Sequence, residues 1–520
     1  MDRAEPGGSP RSRRTRLVVD GMYLPEPSDM RVLVWEGTRI VWVGRDPDRA
    51  PPVAVSIDLP GAWVTPGFVD AHVHATATGL MLEGLDLAGT RSADEMTARL
   101  RAFASRCDDD PIVGGGWQEH DWPVPHPPSA DEVAQAAPGR RVVLNRIDGH
   151  SCVVDPATLA LVVRDSDDGV DRDAAEHRPT GWLREDAAER ARRRVWQRLP
   201  DERLARARRA TMRHAAGLGI TSIHEMGHPG LSSLDDALAW AQGEWPVEVL
   251  VWWADIDPAV ALAHDLRPGG DLFLDGAIGS RTAAVSEGYR DGPALGGLFH
   301  SDDEVQRFFV RCTRAQVGGA VHAIGDAAIA QAIAGIDAAA SDAGVAAVRA
   351  CRHRIEHVEL PRPEHARHMA RLGVVASMQP MFDAYWGGPD GMYARRFGRE
   401  VALASNPFAT LAGAGCRLAF SSDTPVTPMA PWDGVVAATA HRGGRSLNTA
   451  AALTAATAGG RYAAHQDDAG PLRAGNRADL AVWDGDPLAA GGTRRCAGIV
   501  VRGLLTESSV SSSLSSFSSR

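Results

Sequence analysis

The chain has no lysine: all 55 of its basic residues are arginine. That excludes a Schiff-base lysine and any metal bridge made by a carboxylated lysine. Cysteine is scarce and scattered, with Cys107, Cys152, Cys312, Cys351, Cys416 and Cys496 forming no C-x-x-C pair. Neither a cysteine metal cluster nor a disulfide scaffold is therefore expected, and a reducing, cytoplasmic setting fits. Runs of about 18 apolar residues are missing too, which argues against an ordinary membrane span. A formal net charge of -11 argues against nucleic acid or an anionic membrane surface as the main partner. What remains is an acidic chain of 520 residues with 44% hydrophobic content, long enough for a large core and at least two domains.

Residues 1–16 are basic and rich in Gly, Pro and Ser with no apolar stretch behind them, and read as a floppy arm. The serine-rich 507–520 reads as a disordered tail. Leu17 to Leu24 and Arg31 to Gly44 are strand-like around a turn at Glu36-Gly37-Thr38, and Ala478 to Trp483 and Ala497 to Val501 have the same character. The two ends, 17–65 and 465–506, are expected to pair into one small composite β-sandwich.

Between them one unit recurs, at 213–227, 314–326, 369–380 and 411–423: an Ala- and Arg-rich helix, a glycine, a short apolar strand and a polar residue where the strand ends. This alternation predicts an α/β fold of parallel βα units, and its repetition favours a (β/α)8 TIM-like barrel over 66–464. Eight strands are expected, at 68–74, 220–225, 248–254, 271–276, 320–324, 353–358, 374–378 and 417–423. Residues from about 85 to 200 break the alternation and read as an insertion that would overhang the barrel mouth as a lid.

The stretch VTPGFVDAHVHAT, Val64 to Thr76, puts Asp70, His72 and His74 on one face of the first strand, because strand side chains alternate. Two imidazoles on one face suit a borderline cation such as zinc. His322 in AVHAIGD, His357 in RIEHVEL and Asp423 in AFSSDTPV each lie near the carboxyl end of a later strand. In a closed barrel those ends share one rim, so the five residues would converge.

With these motifs in place the chain resembles the amidohydrolase superfamily, specifically amidohydrolase family 3 and its YtcJ-like branch. The resemblance runs from VVDGMYL through TPGFVDAHVH, DGHS, DLFLDGAIGSRTA, HAIGDAAI, RIEH and SSDTPV to GPLRAGNRADLAVWDGDP. It implies that His72, His74, His322, His357 and Asp423 bind a divalent metal, zinc foremost, and that Asp423 is also the proton shuttle. One departure stands out. Many members of the superfamily carry a carboxylated lysine on the fourth strand, bridging two metals, and here Asp271 occupies that place in DLFLDG. Either a carboxylate (Asp271, Asp275 or Glu225) substitutes, or one metal is held by the residues already named. The shorter reach of Asp favours one metal and leaves room for a second.

The ligand set predicts a hydrolase of C–N bonds other than peptide bonds, an N-substituted amide or formamide, by attack of metal-bound hydroxide, with Asp423 and His357 as the catalytic pair. The alternatives are a hydrolytic deaminase of the same fold and an inactive barrel serving as a binding protein. The partner expected is a small-molecule substrate, with a homodimer as the assembly considered. Glu225 and Asp326 are read with Asp271 and Asp275 as carboxylates that bridge the metal or receive the free N–H of a ligand histidine. Arg281, Trp117, His150 and Trp386 are candidates for substrate contact. The arginine run Arg192, Arg193 and Arg194 reads as a solvated helix face.

Overall fold

The computed structural model describes residues 14–120, 122–147, 149, 151–166, 168–196, 198–489 and 494–507. The expected arm and tail fall almost wholly outside them, although the first strand, Arg14–Val18, begins ahead of 17 and the last, Leu504–Glu507, ends past 506.

The two ends of the chain do pair. Trp63–Pro66 runs antiparallel to Leu480–Trp483, with Val64 opposite Val482, inside a six-stranded sheet that also holds Gly21–Tyr23, Pro27–Ser28, Cys496–Val501 and Leu504–Glu507. A four-stranded sheet, ordered Arg39–Gly44, Val32–Glu36, Arg14–Val18, Val55–Asp58, lies against it. Leu17, Leu33 and Trp35 from the smaller sheet share one apolar cluster with Val64, Leu480, Val482 and Val500 from the larger. Removing these branched and aromatic side chains from water supplies the driving force for joining segments over 400 residues apart.

The central segment carries two four-stranded parallel sheets. One is ordered Arg267–Pro268, Glu248–Trp253, Ile220–Gly227, Phe68–Val73; the other Ala320–Ala323, Arg354–His357, Val375–Met378, Arg417–Phe420. Their edges meet twice, through parallel bridges at Val73 with Thr424 and at Phe273 with His322. At the first meeting the Asp423 amide donates to the His72 carbonyl and the His74 amide to the Thr424 carbonyl, both at 2.9 Å. Helices alternate with the strands, as the recurring glycine suggested. The helix Pro363–Leu372 ends on Gly373 at φ 70°, a left-handed position that closes the last turn and turns the chain into Val375–Met378.

The expected strand at 271–276 is corrected. Regular pairing in that region covers Arg267–Pro268, and 271–276 contributes a single bridge at Phe273. Gly269 and Gly270, at φ 82° and 89°, break the extended conformation between them. A side chain at Gly269 would lie 1.9 Å from the Ala320 carbonyl, so glycine allows this segment to press against its neighbour.

Residues 85–184 build a six-stranded mixed sheet of their own, running from Val170–Arg172 at one edge to Leu85–Asp86 at the other. Two separate apolar clusters lie on it. Among the described residues no helix is long and apolar enough to cross a membrane.

Candidate metal centre

His72 is the last residue but one of the strand Phe68–Val73 and His74 is the residue ahead of the helix Ala75–Glu83, so both imidazoles leave the strand where it ends. Asp70 accepts from the Ser422 amide at 2.8 Å and its hydroxyl at 2.6 Å, pinning this strand to the segment that carries Asp423. His357 and Asp423 have φ of 70° and 56°, a region non-glycine residues rarely adopt, and both turn their side chains inward at strand ends.

Three rings are oriented alike. The Nδ1 of His72 donates to Glu356 at 3.0 Å, that of His74 to the Met226 carbonyl at 3.2 Å, and that of His357 to the Gln379 amide oxygen at 3.0 Å. Gln379 is itself oriented because its amide nitrogen donates to Ser421 at 3.1 Å. With Nδ1 committed in all three, each neutral ring presents the lone pair of Nε2. Those nitrogens face carboxylates: His72 lies 3.5 Å and His74 3.3 Å from Asp423 Oδ1, while His74 is 3.4 Å and His357 3.5 Å from the two oxygens of Asp271. Lone pairs facing carboxylate oxygens at such range repel unless a proton or a cation lies between them.

The donors fit a cation. His72 Nε2 and Asp423 Oδ1 are buried and have no hydrogen-bond partner, although both are strongly polar. Two sets of buried ligand atoms lie within 4.8 Å of one another, His72 with His74 and Asp423, and His72 with Asp271 and His357. Ligands about 2.0–2.1 Å from a tetrahedral ion stand about 3.3–3.4 Å apart, close to the separations seen here. Both sets use the same His72 nitrogen, which has one lone pair, so they describe one ion more readily than two.

His322 differs from the other three. Its Nδ1 donates to Asp271 at 3.1 Å and its Nε2 lies 3.4 Å from the Gly276 carbonyl, which keeps it outside both sets. Asp271, in the place expected of a bridging lysine, is nevertheless central, within 3.8 Å of all four imidazoles. Burial would raise its carboxyl, but when no cation is bound the protonated imidazoles take its place: hydrogen bonds from His322, His357 and His74 and the charge of His72 then hold it well below the usual range. Burial likewise opposes ionisation of Asp423, and His72, His74 and His357 outweigh it. His357 follows the same logic with opposite sign: burial pushes it down, while Asp271 and Asp423 raise it to about 9. His322 is pushed down to about 4 by burial and by the charge of His357.

The remaining sequence candidates divide. Asp275 lies 3.6 Å from His322, and its two oxygens accept from the amides of Ala284, Ile324 and Gly325, so it ties the loop after 276 to a strand end. Glu225 accepts from the Ala75 amide at 2.6 Å, bracing the turn beside His74. Asp326 is not a neighbour of the imidazoles: it binds the Ser286 amide and Arg362 as the first residue of its helix. Arg281 is paired with Asp291 through two hydrogen bonds at 2.9 and 3.0 Å and stands off the cavity lining. Trp117 is fully buried in the core of the inserted sheet with its indole donating to the Leu144 carbonyl. Trp386 does line the cavity. His150 lies outside the described residues.

That cavity, of about 1330 Å³, opens directly over the cluster and is lined by His74, Asp271, His322, His357 and Asp423. The insertion supplies one wall through Gln118, Asn145, Ile147 and Arg192, and Phe382 and Trp386 supply part of another. Sequence reasoning missed several of these residues. Arg192, read as part of a solvated face, is buried and lines the cavity. His228 stacks on Phe273 at 4.5 Å and accepts the Gly230 amide on Nδ1, which leaves the proton of its neutral ring on Nε2. Glu356 was passed over inside RIEH, although charged residues at alternate positions of a buried strand, Arg354 and Glu356, are a signal of an internal network.

The amidohydrolase family profile matches residues 56–504, and the chain belongs to the amidohydrolase family. It is 28% identical over 478 residues to the putative amidohydrolase YtcJ of Bacillus subtilis, covering 84% of this chain and 87% of that one. It is 24% identical over 492 residues to the N-substituted formamide deformylase of Arthrobacter pascens, covering 87% and 89%. The crystal structure of an uncharacterized metal-dependent hydrolase from Pyrococcus furiosus superposes with a TM-score of 0.74 at 27% identity, over 91% of this chain and all of that one.

Proposed function

We propose that the protein is a metal-dependent hydrolase that cleaves a C–N bond in a non-peptide amide, an N-substituted amide or formamide. The observation that carries this reading is the convergence of three Nε2 lone pairs and two ionised carboxylates on the floor of a large cavity. Kinship with an enzyme named for deformylating N-substituted formamides supports the bond type. In this reading the two parallel sheets form one (β/α)8 barrel with the cluster at the carboxyl ends of its strands, and the paired terminal sheets form a composite β-sandwich.

His72, His74, His357 and Asp423 would hold the cation, with Asp271 alongside them and His322 orienting that carboxylate. A divalent ion, zinc foremost, would bring the pKa of a water it binds toward about 7 and polarise the carbonyl. Asp423, held ionised by its histidine neighbours, accepts the proton of the attacking water and returns it to the departing nitrogen. The Nε2–H of His228 stabilises the developing oxyanion from the cavity wall. Gln379 and Glu356 keep the rings of His357 and His72 in the tautomers this requires.

Elemental analysis of purified protein, followed by product analysis on N-formyl, N-acyl and cyclic amides, tests the proposal. A stoichiometric metal with release of a carboxylate and an amine is expected. Ammonia with the carbon skeleton retained would make it a deaminase, and a metal-free protein inert to every amide would overturn the hydrolase reading.

A further inference from the structure

Arg192 lies on the helix Glu185–Trp196 of the insertion, is 8% exposed and lines the cavity over the metal centre. Its Nη1 donates to the Gly149 carbonyl at 2.7 Å, and its buried Nε has no partner. Among the described residues no carboxylate stands within ion-pair distance of this guanidinium. Three other arginines on the same lining differ: Arg146 pairs with Glu119, Arg184 with Asp171, and Arg396 with Asp291, while Arg395 is exposed to water and donates to the Asp390 carbonyl. Glu189, one turn earlier on the Arg192 helix, is engaged by Arg193 at 2.7 Å.

The guanidinium belongs to the same wall as the chemistry. The Glu189 carboxylate packs where a side chain on Gly230 would sit, so this helix is pressed against the loop that carries His228. His228 in turn stacks on Phe273, two residues from Asp271. The charge of Arg192 reaches that ring: burial lowers the His228 pKa, and Arg192 lowers it further, against Asp271 and Glu189.

A buried cation without a counter-ion among the described residues carries a desolvation cost of several kcal/mol that those residues do not offset. With Nη1 fixed by a carbonyl and Nε buried, Nη2 remains to meet a carboxylate in a charge-assisted hydrogen bond. We propose that Arg192 receives a carboxylate carried by the substrate, so that the enzyme acts on amides that are also carboxylic acids. This rests on the hydrolase reading for the word substrate, but the anchor itself is a binding site that can be read without turnover.

The test is calorimetric titration of the metal-loaded protein with 4-phenylbutyrate and its neutral counterpart 4-phenylbutanol. Wild type is expected to bind the acid about 10- to 100-fold more tightly, the usual worth of a hydrogen bond to a charged group. Arg192→Gln is expected to lose that difference and keep its affinity for the alcohol, while Arg192→Lys keeps part of the preference, with circular dichroism confirming the fold of each. Equal binding of the acid by wild type and Arg192→Gln would place the carboxylate on the metal centre instead and overturn the proposal. So would wild type that does not prefer the acid. Hydrolysis is not read in this titration, so failure of the hydrolase reading and failure of the anchor are separable.

Discussion

Glu356 accepts the Nδ1–H of His72 at 3.0 Å, and Arg354 grips the same carboxylate through Nε and Nη2 at 2.9 and 3.0 Å. Arg354 also donates to the Ala71 carbonyl and to Ser377 and touches His224, so the carboxylate is held by a fully buried frame spanning several strands. Burial would raise the Glu356 carboxyl, but Arg354 and His72 keep it below its ordinary range and therefore ionised. An ionised acceptor forces the proton of His72 onto Nδ1 and leaves Nε2 for a cation. Glu356→Gln is expected to raise the metal dissociation constant about 10- to 100-fold, the usual effect of losing such a partner. Competition with a chromophoric chelator measures it, and unchanged affinity would remove Glu356 from the metal site.

Asp423 offers one oxygen to both His72 and His74 and is proposed to move the proton. Asp423→Asn keeps the shape and one oxygen, so metal is expected to remain while turnover falls about 10²- to 10⁴-fold. Metal content and turnover measured on the same preparation separate the two roles. Full activity in this variant, on any amide the wild type cleaves, would rule out the shuttle.

Removal of the cation should destabilise the fold as well as stop hydrolysis, because an ion that binds only the native state stabilises it by mass action. A ligand present at about 1,000 times its dissociation constant contributes about 4 kcal/mol. Dialysis against a chelator is expected to lower the thermal midpoint and abolish turnover, and stoichiometric zinc to restore both. His357→Ala is expected to lower metal content in the same assay.

Much of this was legible because the chemistry sits at strand ends. Short strand-like stretches with a histidine at or near the end are a local signal, and they located the segments carrying His72, His322 and His357 to within a residue or two. What orients those rings was not legible. His72 and Glu356 are 284 residues apart, and the partner of His74 is a backbone carbonyl, which carries no residue signature. Asp271 looked too short to stand in for a lysine because its reach was judged from side-chain length. The glycine pair at 269–270 lets the backbone itself move in against Ala320. Trp117 and Arg192 were misread in opposite directions for one reason. Which face of an inserted sheet or helix meets the cavity depends on how the insertion packs, and amphipathic pattern alone does not say which side that is.

Glu248 joins the central segment to the end of the chain, receiving Arg461, Arg477 and Arg502 on one carboxylate. Burial would raise it, but those arginines outweigh burial and hold it at about 2, below its ordinary 4.5. A carboxyl depressed by folding stabilises the native state fully above its unfolded value, and that contribution fades as pH falls toward the folded one. The window is therefore pH 4.5 down to about 2, and the depression corresponds to about 3 kcal/mol. Because the side chain is 3% exposed, little of this is lost to solvent screening. Glu248→Gln is expected to cost about 3 kcal/mol at neutral pH, since it leaves buried Arg461 with Asp479 alone, at 3.3 Å, as its carboxylate partner among the described residues. Urea unfolding followed from pH 7 to pH 2 should show the gap between wild type and variant closing across that window. A gap that stays constant with pH would mean that the charge of Glu248 plays no part in fastening the end of the chain to the central sheets.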